Sequence, residues 1–371
     1  MPHFITVCVK GWQRTSEGPI PEYLDVPEAE RFYEDFVVGE NPVVFRGAVT
    51  DAPATTKWAK DDFLKEEFGE LNIHVIKGKD KIPTEMKFKK FIREYQYEDW
   101  YLTNSIPQPM MPYLTLPKCL QCGLKKYLLE FELWMSAGGT SSTLHSHADH
   151  HLHCLLTGRK DFIVISPDLK DKLSFKETIG LHGAGVSDID VEMVNMFKHK
   201  ELGSVTWKWA TLKPGDCIYI PAKYIHQVRS YGRSISWTML WAPSPEIDFS
   251  DCEESDSGKA MVLGDTTPVW TYIDADKQLS NIKLNAASLR HHLMLQLREE
   301  ESLSLETFKH FYDEVMSEVD DHPDVNDVWS MLGAIHEGNI TKQAIAEMDS
   351  ATLDKVSIIL NSPHIRRHDE L

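Results

Sequence analysis

Residues 133 to 167 read LWMSAGGTSSTLHSHADHHLHCLLTGRKDFIVISP, and the alternation inside this stretch decides the fold. Five of the 17 histidines fall between His145 and His153, followed by an apolar run through Phe162, Val164 and Ile165 that reads as a buried strand. Side chains in a strand alternate faces, so His145, His147, Asp149, His151 and His153 project to one side. Two neutral imidazoles at i and i+2 reach one metal ion from such a face, given a third ligand from elsewhere. That third ligand is His226. It follows a Pro-Gly-Asp turn (Pro214 to Asp216), a short apolar strand Cys217 to Ile220, and Pro221.

These motifs resemble the JmjC, cupin-type 2-oxoglutarate oxygenases, nearest the small asparaginyl and lysyl protein hydroxylases. The positions that carry the resemblance are Ser142, His145, Gly158, Lys160, Pro221, Tyr224 and His226, with Pro42 to Gly47 and Trp58 upstream, over roughly residues 30 to 245. The resemblance implies a double-stranded β-helix (jelly-roll) barrel, mainly β, with iron(II) as metal. It also implies 2-oxoglutarate as cosubstrate, held by Lys160 with help from Ser142. The chain departs from the family at one ligand, because His147 stands where the family has a carboxylate. Reading His147-Ala148-Asp149 as the ligand pair instead would displace Gly158 and Lys160 by two residues, so His145 is kept as the first ligand.

The expected metal set is therefore His145, His147 and His226, which are also the catalytic residues. Its ligands are neutral, which favours the reduced ion and admits copper or zinc as well as iron. Asp149 is placed to accept from the second ring nitrogen of His147. His151 takes the place of an asparagine near the cosubstrate in the asparaginyl hydroxylase, and His153 extends that polar wall. His150 should point outward. Trp241 aligns with an aromatic at the barrel mouth and either touches substrate or belongs to the core. Three functional readings follow: an iron(II) and 2-oxoglutarate hydroxylase, a three-histidine iron or copper oxygenase or oxidase independent of 2-oxoglutarate, and a JmjC-fold binding module without turnover. The substrate is a peptide, a protein or a small molecule.

The formal net charge of −18 over 371 residues argues against nucleic acid as a partner, since phosphate contacts need a basic face. No apolar run reaches the length of a membrane span. The last four residues, His368 to Leu371, match a signal for retention in the endoplasmic reticulum. The apolar run Phe4 to Val9 is too short for a signal-peptide core, so a luminal protein requires a leader outside this sequence. Asn339-Ile-Thr341 is a glycosylation sequon. Of the six cysteines, Cys119 and Cys122 form either a local disulfide or two surface thiols, and Cys154 and Cys217 read as buried inert thiols.

The expected organisation is N-terminal α/β elements over 1–127, a barrel over 128–245, an acidic linker over 246–275 and helices over 276–371. Helices are expected over Glu28 to Phe36, Trp58 to Phe68 and Met86 to Tyr95, and strands over Asn41 to Val49, Asn72 to Ile76 and from Trp100. Residues 168 to 205 read as an excursion over the barrel mouth, a substrate lid. Stripes through Leu284, Leu289, Leu293, Leu295 and Leu297, through Phe308, Phe311 and Val315, and through Ile345, Met348, Leu353, Val356 and Ile359 predict a helical domain that packs on the barrel or makes a homodimer. Asp320, Asp321, Asp324, Asn326 and Asp327 lack the central glycine and alternating ligands of a calcium loop and read as a solvated acidic turn.

Overall fold

The structure is a computed structural model that describes residues 16–77, 82–177, 185–191, 194–241, 247–252, 261–266, 272–273, 279–280, 286–297, 300–316, 322–333 and 338–366. The His368 to Leu371 tail, Leu284, Cys8, and Asp320 and Asp321 of the acidic turn lie outside the described residues.

Its centre is one 13-stranded, mostly antiparallel sheet closed into a jelly-roll. N-terminal strands β1 (Glu22–Tyr23), β2 (Val43–Phe45), β3 (Asn72–Lys77), β4 (Ile82–Lys87) and β5 (Trp100–Ser105) extend it at both edges. The barrel proper consists of β6 (Leu128–Ser136), β7 (His145–Ser146), β8 (His150–Ile165), β9 (Phe175–Glu177), β10 (Gly185–Ser187), β11 (Lys208–Leu212), β12 (Cys217–Ile220) and β13 (Ile225–Trp241). The path runs β1-β2-β12-β8-β13-β6-β5-β3-β4, with β11 on β8, β7 on β13, and β10 between β7 and β9.

Strands β8 and β13 pair along almost their whole lengths and each bends midway, so both serve the two walls of the barrel. Gly158 makes the bend in β8 possible. Its φ is +85°, and a Cβ there would stand 2.5 Å from the Arg233 carbonyl oxygen. Arg233, next to the facing bend in β13, binds Asp61 and the Trp58 carbonyl, tying the bend to the N-terminal helix Asp61–Phe68. Arg46 similarly ion-pairs with Asp216, whose other oxygen accepts from the Gly47 amide, so the upstream Pro42 to Gly47 motif anchors the turn before β12.

Strand alternation then sorts the side chains. Phe131, Leu133, Leu152, Cys154, Tyr219, Trp237, Met239 and Trp241 face outward into the main core, built with Phe32, Phe45, Trp58, Phe68 and Phe91 of the N-terminal elements. Leu155, Phe162, Val164, Leu212, Ile218 and Ile220 fill one end of the barrel interior. Ile163, Ile165 and Ile225, on the opposite outer face, are covered by Leu173, Ile189, Val191, Leu202 and Val205.

Several expectations change in detail. Residues 168 to 205, read as a lid, contribute β9 and β10, which extend the sheet past β7 with Val186 of β10 paired to His145, and the apolar residues that cover the outer face. Cys154 and Cys217, read as buried inert thiols, are opposed across β8 and β12 and form a disulfide, while Cys119 is a buried thiol that does not bridge to Cys122. Alternation within one strand does not say which residue of a distant strand faces it, and only the long-range register sets the two sulfurs opposite each other. The helix expected over Glu28 to Phe36 is Ala29–Phe32 followed by a π turn, and Trp58 ends a separate short helix, Pro53–Lys57. Met86 belongs to β4, and the helix behind it is Phe88–Glu94.

The helices Ala286–Leu297, Leu305–Met316, Val325–Met331, Lys342–Glu347 and Ser350–Arg366 form a core of their own. It buries Leu289, Leu293 and Leu297, Phe308, Phe311 and Val315, and Ile345, Leu353 and Val356 of the three predicted stripes, with Met348 and Ile359 partly buried against it. Asp324 caps the third of them by accepting from the Asn326 amide, a structural use of the acidic turn.

Candidate active site

Strand pairing builds the cluster. His145 on β7 lies directly across from His226 on β13, and His147, two residues on, returns to the same side. The next pairing of the chain holds it there, since the His147 carbonyl accepts from the Lys223 amide at 2.8 Å. One ring nitrogen from each of His145, His147 and His226 falls within 4.8 Å of the other two. The ring centroids are 4.2 Å apart for His145 and His226, 5.2 Å for His145 and His147, and 5.4 Å for His147 and His226.

The tautomers of two of them follow from their partners. The Nδ1 of His145 meets the Thr143 carbonyl at 2.8 Å and that of His226 meets the Tyr224 carbonyl at 3.2 Å. A carbonyl only accepts, so Nδ1 carries the proton in both and Nε2 presents its lone pair, the arrangement typical of metal-bound histidine. Burial and the neighbouring His145 push His147 down to about 3, and burial holds His226 well below the usual imidazole range. Those two are therefore neutral at physiological pH, as metal ligation requires.

Three of the other histidines behave differently from one another. His151 has its ring 5.0 Å from His147 and 4.8 Å from His226, and its Nδ1 is enclosed without a hydrogen-bond partner. His153 uses Nδ1 on the Thr238 hydroxyl at 2.8 Å and leaves Nε2 enclosed and unpartnered. His150 points outward as expected, accepting from the Ala222 amide and stacking on Trp241. Asp149, expected to hold the second ring nitrogen of His147, is buried where its charge acts on Glu130, and burial raises its carboxyl to about 7.

Lys160 occupies the same interior. It is 1% exposed, its ammonium has no hydrogen-bond partner, and burial brings its pKa down to about 7. An enclosed amine without an anion is costly, so this position suits a carboxylate-bearing ligand. The Tyr101 ring centroid is 6.0 Å from Nζ. Tyr101 on β5 and Glu130, Glu132 and Trp134 on β6 also face inward, and the Trp134 indole donates to Thr238 at 2.9 Å. Burial and Glu130 push the Glu132 carboxyl well above the usual range, toward the neutral acid, and its Oε2 is enclosed and unpartnered.

The sequence did not single out Tyr101, Glu130, Glu132 or Trp134. The available signal was a glutamate alternating with outward Phe131 and Leu133 in an otherwise apolar strand. The Ser142 hydroxyl accepts from the Val228 amide at 2.9 Å, completing a strand edge. Of the two places open to Trp241 the structure gives the core, where it is fully buried against Phe32, Tyr219 and His150.

The model of the cupin-like domain matches residues 29–247, more than half of the chain and all of the barrel. The chain belongs to the cupin-like domain family. Several of its relatives carry JmjC names, in agreement with the motifs around His145 and His226. The chain is 26% identical over 241 residues to lysine-specific demethylase 8 of Xenopus tropicalis, covering 61% of this chain and 54% of that protein. It is 25% identical over 248 residues to Jumonji C domain-containing protein 5 of Drosophila melanogaster, 61% of each. It is also 25% identical over 254 residues to tRNA wybutosine-synthesizing protein 5 of Gallus gallus, 60% of this chain and 77% of the relative. The match thus spans 54% and 61% of the first two relatives. In this cupin-like chain the C-terminal helices lie beyond the matched region.

Proposed function

We propose that this protein is a non-haem metal-dependent oxygenase that binds iron(II) through His145, His147 and His226 and uses 2-oxoglutarate to hydroxylate a peptide or protein of the secretory pathway. The observation that carries the proposal is that an unpartnered, fully buried ammonium and a three-imidazole cluster share one barrel interior. Iron(II) with 2-oxoglutarate and oxygen would supply the oxidising chemistry.

The chain's own residues perform the rest. The carbonyls of Thr143 and Tyr224 orient two of the ligands. Lys160 pairs with the distal carboxylate of the cosubstrate, and the protonated form of Glu132 adds a donor instead of a repelling charge. Leu155, Phe162, Val164, Ile218 and Ile220 close the far end of the barrel against water. Because the ligand set lacks a carboxylate, the bound ion keeps its full charge and its reduced state is favoured. The disulfide between Cys154 and Cys217, the exposed sequon at Asn339 and the His368 to Leu371 signal support a luminal site of action.

A second reading is favoured by His147 itself: a three-histidine oxygenase that does not use 2-oxoglutarate and binds copper as readily as iron. The two readings are separated by metal analysis of protein purified without chelator, followed by an assay for succinate. Succinate that rises with iron(II) supports the first reading. Stoichiometric metal with no dependence on 2-oxoglutarate supports the second, and absence of both leaves only a binding module.

A further inference from the structure

The alternation that sends Lys160 and Phe162 into the barrel sends their neighbours outward onto a face that the metal site does not use. Across β11, β8 and β13 this face consists of the rows Trp209, Ile163, Gln227 and Thr211, Asp161, Arg229, followed by Arg159 opposite Tyr231. Beyond Ile163 the face is covered by the apolar excursion, but the cover stops at Val191 and Trp207. A cleft of about 320 Å³ is left beside it, within the range of small-ligand pockets.

Its chemistry is specific. Trp209 is 41% exposed at one end, and Tyr231 lies at the other with the guanidinium carbons of Arg159 and Arg229 at 4.9 and 5.4 Å from its ring centroid. The floor is built of planar polar groups already held in place. Asp161 accepts from Arg159 at 3.0 and 2.8 Å and from the Thr211 hydroxyl at 2.8 Å, and Gln227 donates to the Ser141 hydroxyl.

We propose that this cleft is a saccharide-binding site that seats a neutral pyranose. The apolar face of a pyranose ring packs on an indole, and its hydroxyls each donate and accept. A floor that mixes carboxylate, guanidinium, carboxamide and hydroxyl groups therefore complements it. A phosphate or acidic peptide would meet the Asp161 carboxylate, and one of the two guanidinium groups is already neutralised by that carboxylate. An apolar peptide would bury the charged floor without partners. Nucleic acid is disfavoured by the net charge of −18.

The test is titration of the full chain with the methyl glycosides of glucose, mannose, galactose and N-acetylglucosamine, read by tryptophan fluorescence and by ligand-observed saturation-transfer NMR. At least one glycoside should saturate at millimolar concentration, with no competition from inorganic phosphate. Trp209→Ala should weaken that glycoside by about tenfold or more, and Arg229→Lys by severalfold, with bound metal and melting temperature unchanged in Trp209→Ala. The proposal is overturned if none of the four saturates, if Trp209→Ala binds as the parent does, or if phosphate displaces the glycoside.

Discussion

Lys160 gives the proposed cosubstrate site a pH dependence whose size follows from its surroundings. Burial alone brings this lysine down to about 7 from 10.5, so near neutrality half of the molecules hold it uncharged. Only the ammonium pairs with a carboxylate. Binding therefore takes up a proton, and the apparent affinity for 2-oxoglutarate should fall about fivefold from pH 7 to pH 8 and about fiftyfold by pH 9. The same shift acts on folding. Between pH 7 and 10.5 the unfolded chain holds a proton at this site that the native state does not, so the ligand-free protein gains stability as pH rises through that window. At pH 7 the cost is on the order of 4 kcal/mol at most. Lys160→Met should remove this cost, raising the melting temperature of the ligand-free protein at pH 7 while abolishing 2-oxoglutarate binding. Calorimetric titration of protein loaded with a redox-inert metal, repeated in buffers of different ionisation enthalpy, reads both the affinity and the proton uptake. An affinity that stays constant from pH 7 to 9, or a Lys160→Met protein that still binds 2-oxoglutarate, would refute the assignment.

Three further outcomes are expected. His147→Asp restores an anionic ligand to the set and should raise succinate formation with iron(II), and turnover equal to or below the parent's would count against a family site altered at one ligand. Replacing Cys154 and Cys217 with alanine opens a loop of 63 residues and should cost about 2 to 4 kcal/mol in denaturant unfolding; an unchanged midpoint would show that the bond contributes nothing. Gly158→Ala places a Cβ against the Arg233 carbonyl at positive φ and should destabilise the barrel by about 2 kcal/mol or more, read as a lowered melting temperature.

The parts of the site that were legible in the sequence are those that depend on local periodicity. Alternation before the bend of β8 separates His151 and His153 from Leu152 and Cys154, and after it Lys160 from Asp161. The face changes at Gly158, where the ladder slips and a side chain would be blocked, so alternation alone does not put Lys160 with the histidines. The Pro-Gly-Asp turn before β12 likewise positions His226. What local pattern does not carry is register between distant strands. The opposition of Cys154 to Cys217, the use of the Ser142 hydroxyl by Val228, and the burial of Trp241 under the N-terminal elements all depend on it. Tyr101, Glu132 and Trp134 were missed for the same reason. Their strands read as ordinary core, and only the pairing of β5 with β6, and of β6 with β13, turns their polar side toward the metal cluster. The excursion over 168–205 looked like a lid because its short strands are too brief to show a period, while its apolar residues cover the outer face.

The central claim is that three imidazoles from two paired strands hold one metal ion inside the barrel, and X-ray absorption on anaerobically iron(II)-loaded protein tests it most directly. The account predicts one iron per chain, with three imidazole nitrogens at about 2.1 Å, and loss of that signal in His226→Ala. Substoichiometric iron, or an unchanged spectrum in His226→Ala, would contradict it.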